Sequence, residues 1–337
     1  PVELGKEGAD FRLLPIGITA AYLPFSTPLT TFVSYFCASV TAGCPLLLIS
    51  SSHAILSTAL FTYLVESLDL RRPPMQTLFG PYDAFRTALS SEEVDAVLYT
   101  GSREHCARIR SEQKVHLGRQ VVLQSGGKNA VIVHSSAAIE DAVAATSYGC
   151  LLSTGQRCTS TSRVFVYRGL LQEFIDALKA DFQATTIGRT DLTGGQPGPV
   201  LGPLYSRKSV DKFLRFQTMA GRESESILWG KEEAVDGGGF FVSPSIHIPE
   251  EFNNRSAYQR NVLFSPDVAV YPYDVLEDAI DKINTTDASF AVSFVGDPSI
   301  IRDRRHKFYA PNLMINQPTV ELEAHLPLAG RLQSGHH

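Results

Sequence analysis

The sequence predicts an α/β protein in which parallel sheets carry helices on both faces. Short apolar runs bounded by turn residues alternate with helical stretches of about ten to fifteen residues, the pattern of consecutive strand–helix–strand units. A chain of 337 residues exceeds what one hydrophobic core usually supports, so two domains are expected. With 44% hydrophobic and 19% charged residues, the composition is that of a globular protein with a large core.

The first series of strands and helices starts at the apolar run "IGITAAYL". The helix that follows, near residues 30–42, ends at Gly43, because glycine is the residue most common just beyond a helix C-terminus. The next elements are the strand "PLLLIS", a helix near 53–67, the strand "MQTLFG", a helix near 82–90 and the strand "AVLYTGS". No G-x-G-x-x-G follows these strands, so the usual dinucleotide-binding fingerprint is absent.

A second series of the same kind begins at "NAVIVHS". It comprises a helix near 138–151, a loop that contains Cys158, the strand "SRVFVY", a helix near 169–182 and the later strands "DVAVYPY" and "AVSFVG". The glycine- and proline-rich segments "RTDLTGGQPGPVLGPL" and "DGGGFF" are typical of surface loops. Two consecutive parallel-sheet domains are therefore expected.

The charge distribution argues against membranes and nucleic acids as partners. No Asp, Glu, Lys or Arg lies between Arg12 and His53, but Pro28, Gly43 and Pro45 divide this apolar stretch into pieces too short to span a bilayer. The net charge is -5, and the short basic run "RDRRHK" is typical of a solvated helix face. We expect neither a membrane span nor a nucleic-acid site.

The chain contains five cysteines, an odd number without C-x-x-C spacing, which argues against a disulfide framework and against a zinc site. No metal is therefore expected. A reducing compartment, the cytoplasm, is the expected location. Cys37, Cys44 and Cys150 lie in apolar stretches and are expected to be packed inside helices.

Five segments carry a resemblance to a known family: "VLYTGS", "VVLQSGGKNAVIV", "STGQRCTSTSRVFV", "NVLFSPDVAV" and "NLMINQPT". In this order they resemble landmarks of the aldehyde dehydrogenase superfamily, and "GQRCTS" is most similar to its semialdehyde-oxidising members. The resemblance covers about residues 10–335 and implies two Rossmann-like domains with remnants of an oligomerisation hairpin. The implied division is a hairpin remnant at 1–14, a former NAD-binding domain at 15–126, a catalytic domain at 127–325 and a C-terminal remnant at 326–337.

The resemblance places Cys158 at the position of the family's nucleophile. In that family a cysteine attacks an aldehyde carbonyl, the adduct gives a hydride to NAD(P), and a glutamate activates water to release the acid. Attack requires a thiolate, and an ordinary cysteine pKa of about 8.5 leaves only a few per cent ionised at neutral pH. We therefore expect a site that activates the Cys158 thiol.

Two partners of the nucleophile differ from the family pattern. Gln124 stands in "LQSGGK" where the family has its glutamate base, and an amide cannot accept the proton. Ser26 stands in "PFSTPL" where the family has an asparagine that donates to the oxyanion. General-base catalysis contributes about 10² to 10⁴ in rate and one oxyanion donor about 10² to 10³. His325, in "EAHLP", is a candidate replacement base because that segment lines the substrate mouth in the family.

The cofactor-binding positions differ as well. Ile49 replaces the lysine that meets the adenosine ribose, Val262 replaces the glutamate that holds the nicotinamide ribose, and Cys106 replaces a helix glycine. Gly101 and Ser102, which precede the pyrophosphate-facing helix, are retained. The expected cofactor is therefore none, or NAD(P) bound weakly.

These substitutions favour cysteine-dependent chemistry on an aldehyde, ester or thioester of a biosynthetic pathway, with NAD-dependent oxidation weakened or lost. One alternative is NAD(P)-dependent oxidation of a semialdehyde through substitute contacts. Another is a non-catalytic pseudoenzyme that binds a ligand or a partner. The expected partners are a small carbonyl compound and further copies of the chain in a homo-oligomer.

Overall fold

The chain folds as two units, each with its own parallel sheet. The computed structural model describes residues 14–68, 74–113, 118–189, 201–323 and 330–336, together with Leu326 and Leu328. The first unit comprises residues 1–125 and 335–337, and the second comprises residues 126–334. The expected hairpin remnant, apart from Leu14, and residues 190–200 of the expected glycine-rich loop lie outside the described residues.

Strands and helices alternate along the first unit. It contains β1 (Ile18–Leu23), α1 (Pro28–Thr41), β2 (Leu46–Ser50), α2 (Ile55–Glu66), β3 (Met75–Phe79), α3 (Tyr82–Leu89), β4 (Val94–Gly101), α4 (Arg103–Gln113) and β5 (Gln120–Ser125). The predicted elements of this region are present, with ends shifted by a few residues. The strands are apolar on both sides because helices bury both faces of a parallel sheet.

The second unit has a longer list of elements. It contains β6 (Asn129–Val133), α5 (Ile139–Leu151), β7 (Thr161–Tyr167), α6 (Leu171–Ala184), α7 (Arg207–Glu223), β8 (Ser224–Leu228), β9 (Glu232–Glu233), β10 (Phe241–Val242), β11 (Ser245–Pro249), α8 (Ala257–Arg260), β12 (Asp267–Tyr273), α9 (Leu276–Asn284), β13 (Ala288–Ser289), β14 (Ala291–Val295), α10 (Pro298–Arg302), β15 (Asn312–Ile315) and β16 (Arg331–Leu332). The last strand of the chain, β17 (Gly335–His336), pairs with β5 of the first unit.

Both main sheets are open and mostly parallel. In the first unit the strand order is β17-β5-β4-β1-β2-β3, with only β17 antiparallel. In the second unit the order is β15-β14-β6-β7-β12-β11-β8, with only β8 antiparallel. The order in the first unit reverses between β1 and β4, which makes their carboxyl ends the switch point of that sheet.

The two faces of the first sheet carry different helices. Phe32 of α1 and Phe61 of α2 pack with Leu46 and Leu48 of β2. On the other face, α3 and α4 cover a cluster that contains Ile49. The alternation of side chains along β2 therefore distributes its residues between two separate helix layers.

The outer surfaces of α1 and α2 are unusually apolar for exposed helices. Val33, Leu56, Leu60 and Tyr63 are among their exposed side chains. Even so, none of the helices within the described ranges has both the length and the apolar character needed to cross a bilayer.

One prediction about local structure is wrong. Cys37 is exposed on α1, and Cys44 is buried in the turn before β2 and not in a helix, so of the three cysteines expected to be packed inside helices only Cys150 is. The helix predicted near 169–182 is present as α6 (Leu171–Ala184), after a 3-10 turn at Arg168–Leu170.

Candidate active site

Cys158 lies in a loop of the second unit, between α5 and β7, that has a rarely used backbone conformation. Ser153, Thr154 and Gly155 have φ angles of 55°, 56° and 70°, three consecutive residues in the left-handed region. A non-glycine residue held there costs of order 1–3 kcal/mol, and such residues cluster at functional sites. A side chain at Gly155 would collide with the carbonyl group of Ser265. The loop is therefore held in a strained conformation by its surroundings.

The backbone of Cys158 is fixed by the first residues of β6. Its carbonyl oxygen accepts hydrogen bonds from the Gly127 amide at 3.2 Å and from Asn129 Nδ2 at 2.9 Å. The same Nδ2 donates to the carbonyl of Ser160 at 3.0 Å, and Asn129 Oδ1 accepts from the Ala291 amide at 3.0 Å. Asn129 is only 1% exposed, so one buried amide links the cysteine loop to two neighbouring strands.

Gln156 fixes the other side of the loop. Its Nε2 donates to the carbonyls of Ser153 and Pro203, each at 3.2 Å. Its Oε1 accepts from the Tyr205 amide at 3.0 Å. With both ends of its amide satisfied, Gln156 holds the loop against the segment that precedes α7.

The Cys158 thiol lies in apolar surroundings. The residue is half-buried and packs against Phe290, Ala291 and Met314, with Leu322 nearby. Burial raises the pKa of the Cys158 thiol to about 11, although the backbone amides of Cys158 and Thr159 and the charge of Arg157 oppose that rise. Desolvation by these neighbours therefore outweighs the groups that stabilise the thiolate, and it shifts the thiol pKa in the direction opposite to the expected activation.

This raised pKa predicts slow, strongly pH-dependent alkylation of Cys158. A pKa near 11 leaves about three hundredfold less thiolate at pH 7 than an ordinary thiol with a pKa of about 8.5 has, while greater basicity makes that thiolate about fifteenfold more nucleophilic. We expect iodoacetamide to label Cys158 about twentyfold more slowly than a cysteine peptide at pH 7, with a rate that climbs towards pH 11. Peptide mass spectrometry separates Cys158 from the exposed Cys37. A rate that levels off below pH 8 would show a thiol whose pKa is lowered.

Arg157 brings a positive charge next to the nucleophile position. Its Nε donates to Ser153 Oγ at 3.1 Å. It lines a shallow depression together with Ser160, Val262 and Ser265. Ser265 Oγ is buried there and has no hydrogen-bond partner within the described residues. The depression therefore offers a guanidinium and a hydroxyl to a polar group of a ligand.

Val262, a predicted cofactor position, lies beside the cysteine loop within the second unit, in the depression lined by Arg157. Its carbonyl accepts a hydrogen bond from Lys212 Nζ at 2.7 Å. The predicted base His325 lies outside the described residues.

Ser26, Gln124, Gly101 and Ser102 all belong to the first unit. Ser26 is half-buried in the loop between β1 and α1, and Gln124 is half-buried in β5. Gly101 ends β4, and the exposed Ser102 caps α4 by accepting from the His105 amide at 3.2 Å. These four residues lie at or near the carboxyl ends of their strands, where ligands of parallel sheets bind.

Ile49, which stands where the family has a lysine at the cofactor site, lies in β2. Its side chain is fully buried and packs in the core cluster that contains Tyr22 and Phe85. An isoleucine there stabilises the first unit by apolar burial and presents no surface to a ligand.

Sequence reasoning missed an aromatic cluster at the switch point of the first sheet. It consists of Tyr22, Tyr82, Tyr99 and His105, whose rings stack or meet edge to face. The sequence signal that could have revealed this cluster is the presence of aromatic residues near the ends of β1 and β4 and near the starts of α3 and α4. Cys106, the predicted replacement of a glycine, is buried beside them at 2% exposure.

Comparisons with known proteins agree on the fold. The model of the aldehyde dehydrogenase family matches residues 3–337. The chain is 28% identical to a hydroxyisobutyraldehyde dehydrogenase of Mycolicibacterium austroafricanum, over 97% of this chain and 64% of the relative. It is 25% identical to an alpha-ketoglutaric semialdehyde dehydrogenase of Bacillus subtilis (strain 168), over 96% of this chain and 66% of the relative. The chain thus spans less than two thirds of either relative.

Solved structures give the same result. The NAD+ complex of an aldehyde dehydrogenase from Bacillus cereus superposes with a TM-score of 0.89 at 24% identity, over 96% of this chain and 65% of that one. The NAD+ complex of a Mycobacterium tuberculosis aldehyde dehydrogenase gives a TM-score of 0.88 at 20% identity, over 96% and 65%. The predicted α/β fold with parallel sheets is confirmed.

Proposed function

The chain belongs to the aldehyde dehydrogenase family, and from that premise we propose that it is an enzyme whose Cys158 attacks the carbonyl carbon of an aldehyde, ester or thioester. The observation that carries this proposal is the strained loop at Ser153–Gly155, which holds Cys158 between two sets of buried hydrogen bonds. A merely structural cysteine gives no reason for such strain to persist.

The proposed steps need no oxidant. With an aldehyde, a carbon–sulfur bond forms as the carbonyl π bond breaks, and the thiol proton ends on the oxygen, giving a thiohemiacetal. With an ester or thioester, the sulfur displaces the alcohol or thiol, which leaves with the proton, and water then releases the acid and restores Cys158.

Backbone amides are the donors available to the oxygen in these steps. The backbone amides of Cys158 and Thr159 lower the pKa of the thiol against the effect of burial. As negative charge moves from sulfur to the carbonyl oxygen, the same amides can stabilise it there. This is the role expected of Ser26 from the resemblance, supplied instead from within the cysteine loop.

Arg157 favours a substrate that carries a carboxylate. Its guanidinium lines the depression beside the cysteine loop and can bind a carboxylate with paired hydrogen bonds. One relative is named as a semialdehyde dehydrogenase, whose substrates contain both an aldehyde and a carboxylate. We therefore propose a semialdehyde, or the corresponding acid ester or thioester, as the substrate class.

The described residues do not fit a dinucleotide cofactor in the first unit. Ile49 is buried in the core, and stacked rings occupy the carboxyl ends of β1 and β4. The proposed reaction therefore has no step that uses NAD(P). NAD(P)-dependent oxidation is the second candidate function. It is supported by the dehydrogenase names of the relatives and by the NAD+ bound in two of the similar solved structures.

Cofactor-free acylation of Cys158 tests the proposal. At alkaline pH, where more thiolate is present, we expect p-nitrophenyl acetate to acetylate Cys158 with release of p-nitrophenol and no added nucleotide. Peptide mass spectrometry identifies the acetylated residue. Absorbance at 340 nm with an aldehyde and NAD+ is the parallel measurement. Aldehyde oxidation without acylation would favour the second candidate, and the absence of both reactions would favour a non-catalytic binding protein.

A further inference from the structure

The nucleotide crevice of the first unit is filled by the protein's own side chains. In open α/β sheets, ligands bind outside the carboxyl ends of the strands at the point where the strand order reverses, here between β1 and β4. We propose that Tyr22, Tyr82, Tyr99 and His105 take up the space that a nucleotide needs at this point and so set the specificity of the chain against dinucleotides. This inference rests on the proposed function, in which the reaction does not use NAD(P), and it gives a structural cause for that.

All four residues lie at the same edge of the sheet. Tyr22 is the penultimate residue of β1 and is paired in register with Tyr99 of β4. Tyr82 is the first residue of α3, and His105 is the third residue of α4. Helices that follow parallel strands start at the carboxyl edge, so the strand and helix residues meet there.

The four rings form two stacked pairs that a hydrogen bond joins. The Tyr82 and His105 rings are parallel within 2°, with centroids 3.8 Å apart. The Tyr22 and Tyr99 rings are stacked at 5.3 Å with an angle of 21°. The Tyr99 hydroxyl joins the two pairs through a hydrogen bond of 3.0 Å with His105 Nδ1. A planar base could enter only by displacing one of these stacked rings.

Two further features fix the rings in place. A side chain at Gly101 would collide with the Tyr99 hydroxyl, so this glycine leaves the room that the tyrosine fills. The amide of His105 donates to Ser102 Oγ at 3.2 Å, which ties the imidazole to the first turn of α4. Gly101 and Ser102, retained from the family pattern, therefore support the aromatic cluster in this chain.

Burial shows that the cluster acts through the volume of its rings. Tyr22, Tyr82 and Tyr99 are 9%, 8% and 1% exposed. The Tyr82 hydroxyl is buried without a hydrogen-bond partner among the described residues. An unpaired buried hydroxyl is unfavourable, so the position is held by the apolar and stacking contacts of the ring.

Calorimetric titration with NAD+ tests the inference. We expect the Tyr82→Ala/His105→Ala double variant to bind NAD+ at least about tenfold more tightly than the unmodified protein. His105→Ala alone, at a half-buried position that tolerates truncation, should give a smaller gain. Tyr82→Phe, which keeps the ring, and Tyr63→Ala, at an exposed position of α2, are the matched controls and should change nothing. Circular dichroism and the melting temperature establish that each variant is folded.

Two results would overturn the inference. One is NAD+ binding by the unmodified protein as tight as that of the double variant. The other is a folded His105→Ala or double variant with no gain in affinity. Acetylation of Cys158 is measured on the same preparations and is expected in all of them. Its failure would contradict the proposed role of Cys158 and leave the conclusion about the crevice standing.

Discussion

Replacing Cys158 with alanine is expected to abolish covalent acylation and to lower turnover of an ester substrate by at least about 10³-fold, since the reaction loses its nucleophile. The residual rate of the variant should equal the rate of the uncatalysed reaction, raised only by the effect of binding the substrate. Release of p-nitrophenol measures turnover, and mass spectrometry measures the acyl adduct. The loss should be equally large at pH 7 and pH 9, although the unmodified protein is faster at the higher pH.

The fold should survive this substitution. The hydrogen bonds that hold the loop go to the backbone carbonyl of Cys158, which alanine retains. The lost sulfur packs against the small cluster around Phe290 and Met314. Cys158→Ser, which is nearly isosteric, is the second variant should alanine perturb the loop.

Cys37→Ala is the matched control for this experiment. Cys37 is exposed on α1 in the first unit, so its removal should leave both turnover and acylation of Cys158 unchanged. Turnover that persists in the Cys158→Ala variant would contradict the assignment of Cys158 as the nucleophile.

Asp267 is expected to be the most sensitive position for stability. The residue is 2% exposed, and its Oδ1 accepts hydrogen bonds from Ser245 Oγ at 2.6 Å and Gln217 Nε2 at 3.0 Å. Its Oδ2 accepts from the Tyr258 hydroxyl at 3.1 Å. Asp267→Ala leaves these donors buried and unsatisfied, and breaking a buried charged network in this way costs about 3–5 kcal/mol.

The buried cation Lys128 adds to this cost. It is 1% exposed, and its Nζ has no hydrogen-bond partner among the described residues. Burial lowers the pKa of Lys128 to about 8, while the charge of Asp267 opposes that change. Without Asp267 the pKa of Lys128 should fall further, so the lysine would lose its proton in the folded protein at a lower pH.

Thermal unfolding measures the effect. A loss of 3–5 kcal/mol in a unit of this size corresponds to a fall in melting temperature of about 10 °C. Asp267→Asn retains the volume and one acceptor, so its melting temperature should lie between those of the unmodified protein and the alanine variant. Asp236→Ala, in an exposed loop, is the control and should leave the melting temperature unchanged. Equal melting temperatures for the Asp267 and Asp236 variants would contradict a structural role for the network.

Asp267 should also affect the reactivity of Cys158. It directly follows the segment Phe264–Pro266, which packs against Gly126 and Gly155 on either side of the cysteine loop. Loosening that segment exposes the thiol, so the Asp267→Asn variant should be alkylated faster than the unmodified protein at neutral pH.

Local patterns in the sequence determined much of this protein. The alternation of apolar runs with helical stretches located most elements of the first unit, because periodicity and turn residues act over a few neighbours. In the second unit it located only β6, α5, β7, α6, β12 and β14, and it missed the long helix α7. The ordered segments around Cys158 also determined the family, and with it the fold. The position of Cys158 in a loop before a buried strand follows from "GQRCTS" and the apolar run after it.

Only the tertiary structure decided the pKa of the Cys158 thiol and the space available at the carboxyl ends of β1 and β4. The thiol pKa of Cys158 depends on Phe290 and Met314, which lie far along the chain and meet it only in the folded second unit. The stacking of Tyr82 on His105 likewise depends on two helices meeting at one sheet edge. Desolvation and crevice volume are sums over residues brought together by folding, so no local pattern contains them.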